Sequence, residues 1–166
     1  MGKKTVLLVD DDFEVLDILD LVLSDKYQIL KASSGKKCLD TLKNKHVDLV
    51  LLDVMMPIMD GVETLEEIRK INSFVPIIIH TAVPAEQLLA KLLLLGASDY
   101  LDISVDSNKL IERIEIQLSD NPWKKYEIVV TEYRDYFSEK ERSLEDENSF
   151  FSKMSENLSY SKEKVR

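Results

Sequence analysis

A chain of 166 residues, 45% of them hydrophobic, has room for one packed domain plus an extension, or for two small units. A formal net charge of −9 argues against a broad basic face for nucleic acid. The single cysteine, Cys38, excludes an internal disulfide, and no run approaches the ~18 apolar residues a membrane-spanning helix needs. The N-terminus does not read as a signal peptide, so a soluble cytoplasmic protein is expected.

In chain order, Val6-Leu7-Leu8-Val9 is an unbroken apolar run that ends at Asp10-Asp11-Asp12. Residues 13–23 carry apolar side chains at Phe13, Leu16, Leu19, Val22 and Leu23, the spacing of a helix face. Residues 27–32 read as a second strand. Ser33-Ser34-Gly35 is a turn able to cap the next helix, which turns Cys38, Leu39 and Leu42 inward. Cys38 is expected there as a packed small hydrophobe. Leu49-Val50-Leu51-Leu52 is a third strand, ending at Asp53. A loop containing Pro57 and Gly61 leads into a helix over residues 62–71. Residues 76–81 form a fourth strand ending at Thr81, and a helix over 85–95 stops at Gly96. Residues 99–103 are a fifth, weaker strand, and 107–118 a last helix.

This order is (βα)5. Strands that read as continuous apolar runs are buried on both faces, as in a parallel sheet covered by helices. The expected fold class is α/β, a doubly wound, flavodoxin-like five-stranded parallel sheet, followed by a long helical segment. In such sheets ligands bind beyond the carboxyl ends of the strands. Those ends carry Asp10 and Asp11 after strand one, Asp53 after strand three and Thr81 after strand four. Like charges held close repel, and a hard divalent cation with oxygen ligands, such as Mg2+, relieves the repulsion. A carboxylate so placed can attack phosphorus and form an aspartyl-phosphate. Any one aspartate at a strand end most often caps a helix. Three at the ends of the right strands, with a threonine at a fourth, point to chemistry. His80 precedes Thr81 and faces the other side of its strand, so it is expected to be structural. His46 lies in a polar turn and is expected to be solvated.

These stretches resemble a known family. Val6-Leu7-Leu8-Val9-Asp10-Asp11-Asp12, the run from Asp48 through Asp53 to Pro57, Met59-Asp60-Gly61, the run from Pro76 to Thr81-Ala82, and Gly96-Ala97-Ser98-Asp99-Tyr100-Leu101 are similar to receiver domains of two-component response regulators. The resemblance covers about residues 4–118. It implies that Asp53 is the phosphoacceptor. It implies Mg2+ (or Mn2+) held by Asp10, Asp11, Asp53 and the backbone carbonyl of Met55, with Asp11 the expected direct ligand. Thr81 matches the hydroxyl that turns toward the phosphoryl group, and Tyr100 the aromatic switch that follows it inward. Small Ala82 leaves room beside that group, and Pro57 and Gly61 shape the loop. The implied partner is a sensor histidine kinase or a phosphotransfer protein. The implied role is that of a phosphoacceptor regulator, with no enzyme activity beyond its own phosphorylation and dephosphorylation.

One departure from the family stands out. The family ends strand five with Lys-Pro, and here those positions hold Ile103 and Ser104. Neither Lys109, on the following helix, nor Lys3 and Lys4, before strand one, clearly replaces the lysine. A lost charge pair near 4 Å is worth about 4 kcal/mol at an intermediate dielectric. The alternative reading is therefore a degenerate, phosphate-independent interaction module. A phosphohydrolase would need an acid/base aspartate two residues after the nucleophile, where this chain has Met55.

The receiver pattern is used up near Asp120, giving domains over 1–120 and 121–166. Trp123, Val130, Phe137, Leu144, Phe151, Leu158 and Val165 recur every seven residues, the repeat of a left-handed coiled-coil seam. The companion positions are only half apolar, and the polar stretch over 138–148 interrupts a simple long helix. The segment is expected to be a coiled coil, giving a possible homodimer, or a helical signalling linker to an effector beyond Arg166. No DNA-binding motif is visible in it.

Overall fold

The computed structural model describes residues 2–83, 85–121 and 124–125. The chain divides into two units, Met1–Leu118 and Ser119–Arg166. The heptad pattern and helical extension expected beyond Asn121 lie outside the described residues, apart from a helical assignment at Lys124 and Lys125.

The first unit alternates strand and helix throughout. Its elements are β1 (Thr5–Val9), α1 (Phe13–Leu23), β2 (Gln28–Ala32), α2 (Gly35–Asn44), β3 (Leu49–Leu52), α3 (Gly61–Ile71), β4 (Ile77–Thr81), α4 (Ala85–Leu94), β5 (Asp99–Asp102) and α5 (Ser107–Leu118). The strands form one sheet in the order β2-β1-β3-β4-β5, with every neighbouring pair parallel. Chain order reverses beside β1, and this makes the β1/β3 boundary the switch point of the sheet.

The apolar runs explain this arrangement. Every residue of β1, β3 and β4 is buried, as strands covered on both faces require. Val6, Leu8, Leu49, Leu51, Ile78 and Leu101 pack with Leu16, Leu19 and Leu23 of α1 and with Leu110 and Ile114 of α5. The alternate residues, Leu7, Val50, Ile77 and Ile79, are fully buried as well and point to the opposite face by the two-residue period of a strand. Cys38 is buried on α2, and Leu39 and Leu42 are half-buried. Phe13 departs from the expected helix face: it is exposed at the first position of α1, where the helix has only begun to meet the sheet.

Helix starts follow the capping residues. Asp12, Ser34 and Asp60 each accept a backbone N–H near the start of their helix. Gly96 follows α4 with φ of +100°, a left-handed conformation that glycine adopts without a Cβ penalty. Its carbonyl accepts two hydrogen bonds from the Arg69 guanidinium, which also donates to the carbonyls of Asn72 and Val75. Burial pushes the Arg69 pKa down to about 10.

One buried ion pair ties the last helix to the last strand. Arg113 on α5 is 2% exposed and grips Asp99 on β5 through two 2.6 Å hydrogen bonds. Gln117, one turn further on, donates to the carbonyl of Ser98. A buried pair stripped of one partner leaves an uncompensated charge. Asp99→Ala is therefore expected to lower stability by about 3–5 kcal/mol. Lys26→Ala, which removes the exposed bridge to Glu115, should change it by less than about 1 kcal/mol. Urea unfolding of both variants measures the contrast, and equal small effects would show that Arg113 does not hold α5 in this way.

Candidate functional site

Parallel register brings the acidic residues together. Val9 is paired with Leu52, so Asp10 and Asp53 leave adjacent strands side by side at the switch point. The Asp53 N–H continues the ladder, donating to the Val9 carbonyl at 2.9 Å. Asp11 follows in the turn before α1 and is exposed. Carboxylate oxygens of Asp10, Asp11 and Asp53 lie within 4.8 Å of one another.

Two of the three are taken out of water. Asp10 is 5% exposed and Asp53 8% exposed. Burial, together with the charges of Asp53, Asp11 and Asp12, pushes the Asp10 pKa up to about 6, against the pull of a 2.8 Å hydrogen bond from the Asp12 N–H. Burial also raises the Asp53 pKa, while the nearby Thr81 hydroxyl and the N–H groups of Val54 and Met55 oppose the rise. Among the described residues, no ion pair reaches any of the three.

The loop after β3 is folded tightly onto Asp53. The Met55 N–H donates to the carboxylate at 3.0 Å. The Val54 carbonyl accepts from both Met56 and Gly61, drawing the start of α3 against the strand end. A Cβ on Gly61 would lie 2.3 Å from the Asp53 carbonyl oxygen, so only glycine fits this approach. Ile58 sits in the same loop at φ +70°, fully exposed, a conformation that a β-branched residue seldom adopts. No local sequence signal marks that conformation.

The remaining site residues lie across the sheet. Thr81 is fully buried at the end of β4, and the Val83 N–H also approaches its hydroxyl. Tyr100 on β5 is buried, and its phenol donates to the Val83 carbonyl in the loop before α4. Thr81 and Tyr100 therefore meet at one residue that sequence reasoning missed, because a backbone carbonyl carries no sequence signal. His80 is buried, and burial lowers its pKa, with Asp102 pulling the other way. His46 is exposed. Ile103 follows β5, with its N–H on the Thr81 carbonyl at 3.1 Å, and its side chain is 39% exposed. Ser104 turns back to Asp102, donating to it through both N–H and hydroxyl.

The donor set suits a hard divalent cation. It consists of clustered carboxylate oxygens, two of them buried, with no cationic side chain paired to them among the described residues. Asp10, Asp11 and Asp53 are the residues able to hold one. Without an ion they repel, and replacing one by its neutral isostere should stabilise the fold. The folded Asp10 carboxyl binds its proton more tightly than the unfolded one, so wild-type stability falls as pH rises from about 4 to about 6. In metal-free buffer at pH 7, Asp10→Asn is therefore expected to gain on the order of 2 kcal/mol. The gain should vanish below about pH 4. Chemical denaturation with chelator, across pH, checks both the size and the direction.

Residues 6–115 match the family model described as the response regulator receiver domain. Over 119 residues the chain is 40% identical to the transcriptional regulatory protein ZraR of Salmonella typhimurium, covering 71% of this chain and 27% of ZraR. It is 37% identical over 119 residues to the transcriptional regulatory protein CpxR of Escherichia coli, covering 71% of this chain and 50% of CpxR. The chain thus spans half or less of the length of these curated relatives. Among solved structures, a CheY-like receiver domain protein from Methanospirillum hungatei superposes with a TM-score of 0.68 at 28% identity, covering 76% of this chain and 99% of that one. The response regulator TrrA of Thermotoga maritima, solved in complex with Mg2+ and BeF, superposes at 0.62 with 30% identity, covering 69% of this chain and 98% of that one.

Proposed function

The chain belongs to the response regulator receiver domain family, and from that premise we propose that Asp53 accepts a phosphoryl group from a histidine kinase or a phosphotransfer protein. The observation that carries this reading is the cluster itself: Asp53 is buried at the switch point, beside two further carboxylates and a threonine hydroxyl. In the transfer, an Asp53 carboxylate oxygen forms the new bond to phosphorus as the bond from phosphorus to the donor atom breaks. The donor leaves with that electron pair. Because little covalent work falls to the protein, positioning and charge neutralisation supply most of the catalysis.

Each residue then has a task. The Met55 N–H holds the Asp53 carboxylate in place, and the Thr81 hydroxyl beside it favours its charged form. Asp10, Asp11, Asp53 and the Met55 carbonyl are the proposed holders of Mg2+, which when bound supplies the positive charge that neutralises phosphoryl oxygens. The complex of TrrA with Mg2+ and BeF supports this assignment by relationship. Thr81 and Tyr100, joined at Val83, would carry the change at the site to the loop before α4. The chain is accordingly a phosphoacceptor regulator and not a turnover enzyme. Its output would pass to the region after α5 and to a partner or effector.

A second reading rests on Ile103. If the missing positive charge prevents phosphoryl uptake, the domain is a phosphate-independent interaction module.

Incubation with acetyl phosphate and Mg2+, followed by intact-protein mass spectrometry, separates the two readings. The wild type should gain one phosphoryl group, and Asp53→Ala should gain none. Equal labelling of both proteins would reject Asp53 as the acceptor. No labelling of the wild type, and no spectral change with beryllofluoride, would favour the second reading.

A further inference from the structure

The lysines of the domain are not treated alike. Lys4, Lys26, Lys31 and Lys70 are each paired with a carboxylate. On α2 the pattern differs. Lys36, Lys43 and the C-cap Lys45 are exposed and make no ion pair among the described residues. The Lys37 ammonium, also exposed, donates to the Ser33 hydroxyl and not to a carboxylate. Asp40 is the one acidic residue of the helix. In a chain of net charge −9, α2 thus carries a local surplus of positive charge.

Helix stability does not account for this placement. Cations in a first turn oppose the helix dipole, and carboxylates there favour it. Helices α1 and α3 carry Glu14 and Glu63 in the first turn, whereas α2 carries Lys36 and Lys37 and no acid. Nor are the lysines spread around the helix. Gly35 and Cys38 are buried on the face toward the sheet. Lys36, Asp40 and Lys43 fall on one outward stripe by the helical period, with Lys37 beside it.

We propose that the outer face of α2 is a docking surface for an acidic segment of a partner protein. Charge complementarity selects the partner, and the neighbouring helix limits its width. Helix α3 packs beside α2 and exposes Glu63 and Glu66, neither of them ion-paired among the described residues. A broad polyanion, such as duplex nucleic acid or an anionic membrane, would cover this acidic flank as well and meet the field of a negatively charged chain. An acidic strand or helix about 15 Å long lies along α2 alone. The positive strip beside a negative one also fixes which way such a partner sits, because a shifted partner brings like charges together. The surface lies apart from the cluster at Asp53 and does not depend on its chemistry.

The test uses the full chain, with a fluorescein-labelled peptide of glutamates as the probe and fluorescence anisotropy as the readout. Three proteins are compared: the wild type, the double variant Lys36→Gln with Lys43→Gln, and the double variant Lys26→Gln with Lys70→Gln. The last removes the same charge from two paired lysines away from α2. All four positions are exposed, and glutamine is close to lysine in helix propensity, so both variants are expected to keep the wild-type circular dichroism. The wild type should bind the peptide at low salt and release it as salt is raised. The α2 variant should bind on the order of tenfold more weakly, and the control variant should bind as the wild type does. The proposal is overturned if the wild type does not bind the peptide, or if the control variant loses as much affinity as the α2 variant. It is overturned equally if a short DNA duplex or vesicles of phosphatidylglycerol bind more tightly than the peptide through Lys36 and Lys43.

Discussion

Repulsion among three carboxylates at the switch point is the constraint around which the domain is organised. Asp10, Asp11 and Asp53 would separate if they could, because two of them are buried, and burial with neighbouring carboxylates raises the affinity of Asp10 and Asp53 for protons. They stay together because they are attached to β1 and β3, strands with no exposed residue and locked in parallel register. The apolar sheet therefore does mechanical work for the site. Burial of leucines, valines and isoleucines offsets the electrostatic penalty.

Around this cluster the loops are fitted closely and leave little freedom. Gly61 lets α3 begin against the Asp53 carbonyl, and Val54 closes the loop by accepting two N–H groups. On the other side, Thr81 and Tyr100 come from different strands yet meet at Val83. Hydrogen bonds thus join the ends of β4 and β5 to the segment that precedes α4. The helix at the end of the domain is handled separately. Arg113 and Gln117 bind it to the start of β5, so α5 and β5 act as one piece.

Family membership does not erase what is particular to this chain. The solved relatives share the fold across nearly their whole length. The curated transcriptional regulators match only through part of theirs. Within the shared domain, Ile103 replaces the positive charge expected at the end of strand five. The acidic residues of the site are retained, with no cationic side chain paired to them among the described residues.

Much of this was legible in the residues. Unbroken apolar runs such as Leu49-Val50-Leu51-Leu52 can only be buried on both faces, which implied a parallel sheet, and the acidic residues at their ends implied one shared edge. Capping by Asp12, Ser34 and Asp60 and the stop at Gly96 follow from local chemistry, so element boundaries agreed to within a residue or two. The order of elements and the set of groups at the carboxyl edge could thus be read from the residues alone, because both depend on local periodicity and short-range hydrogen bonding. Packing alone sets which of these groups are buried, that Asp99 finds Arg113 on another element, that Arg69 is held by carbonyls, and that Tyr100 reaches Val83. Those pairings join elements distant in the chain, and their geometry exists only once the sheet and helices have packed.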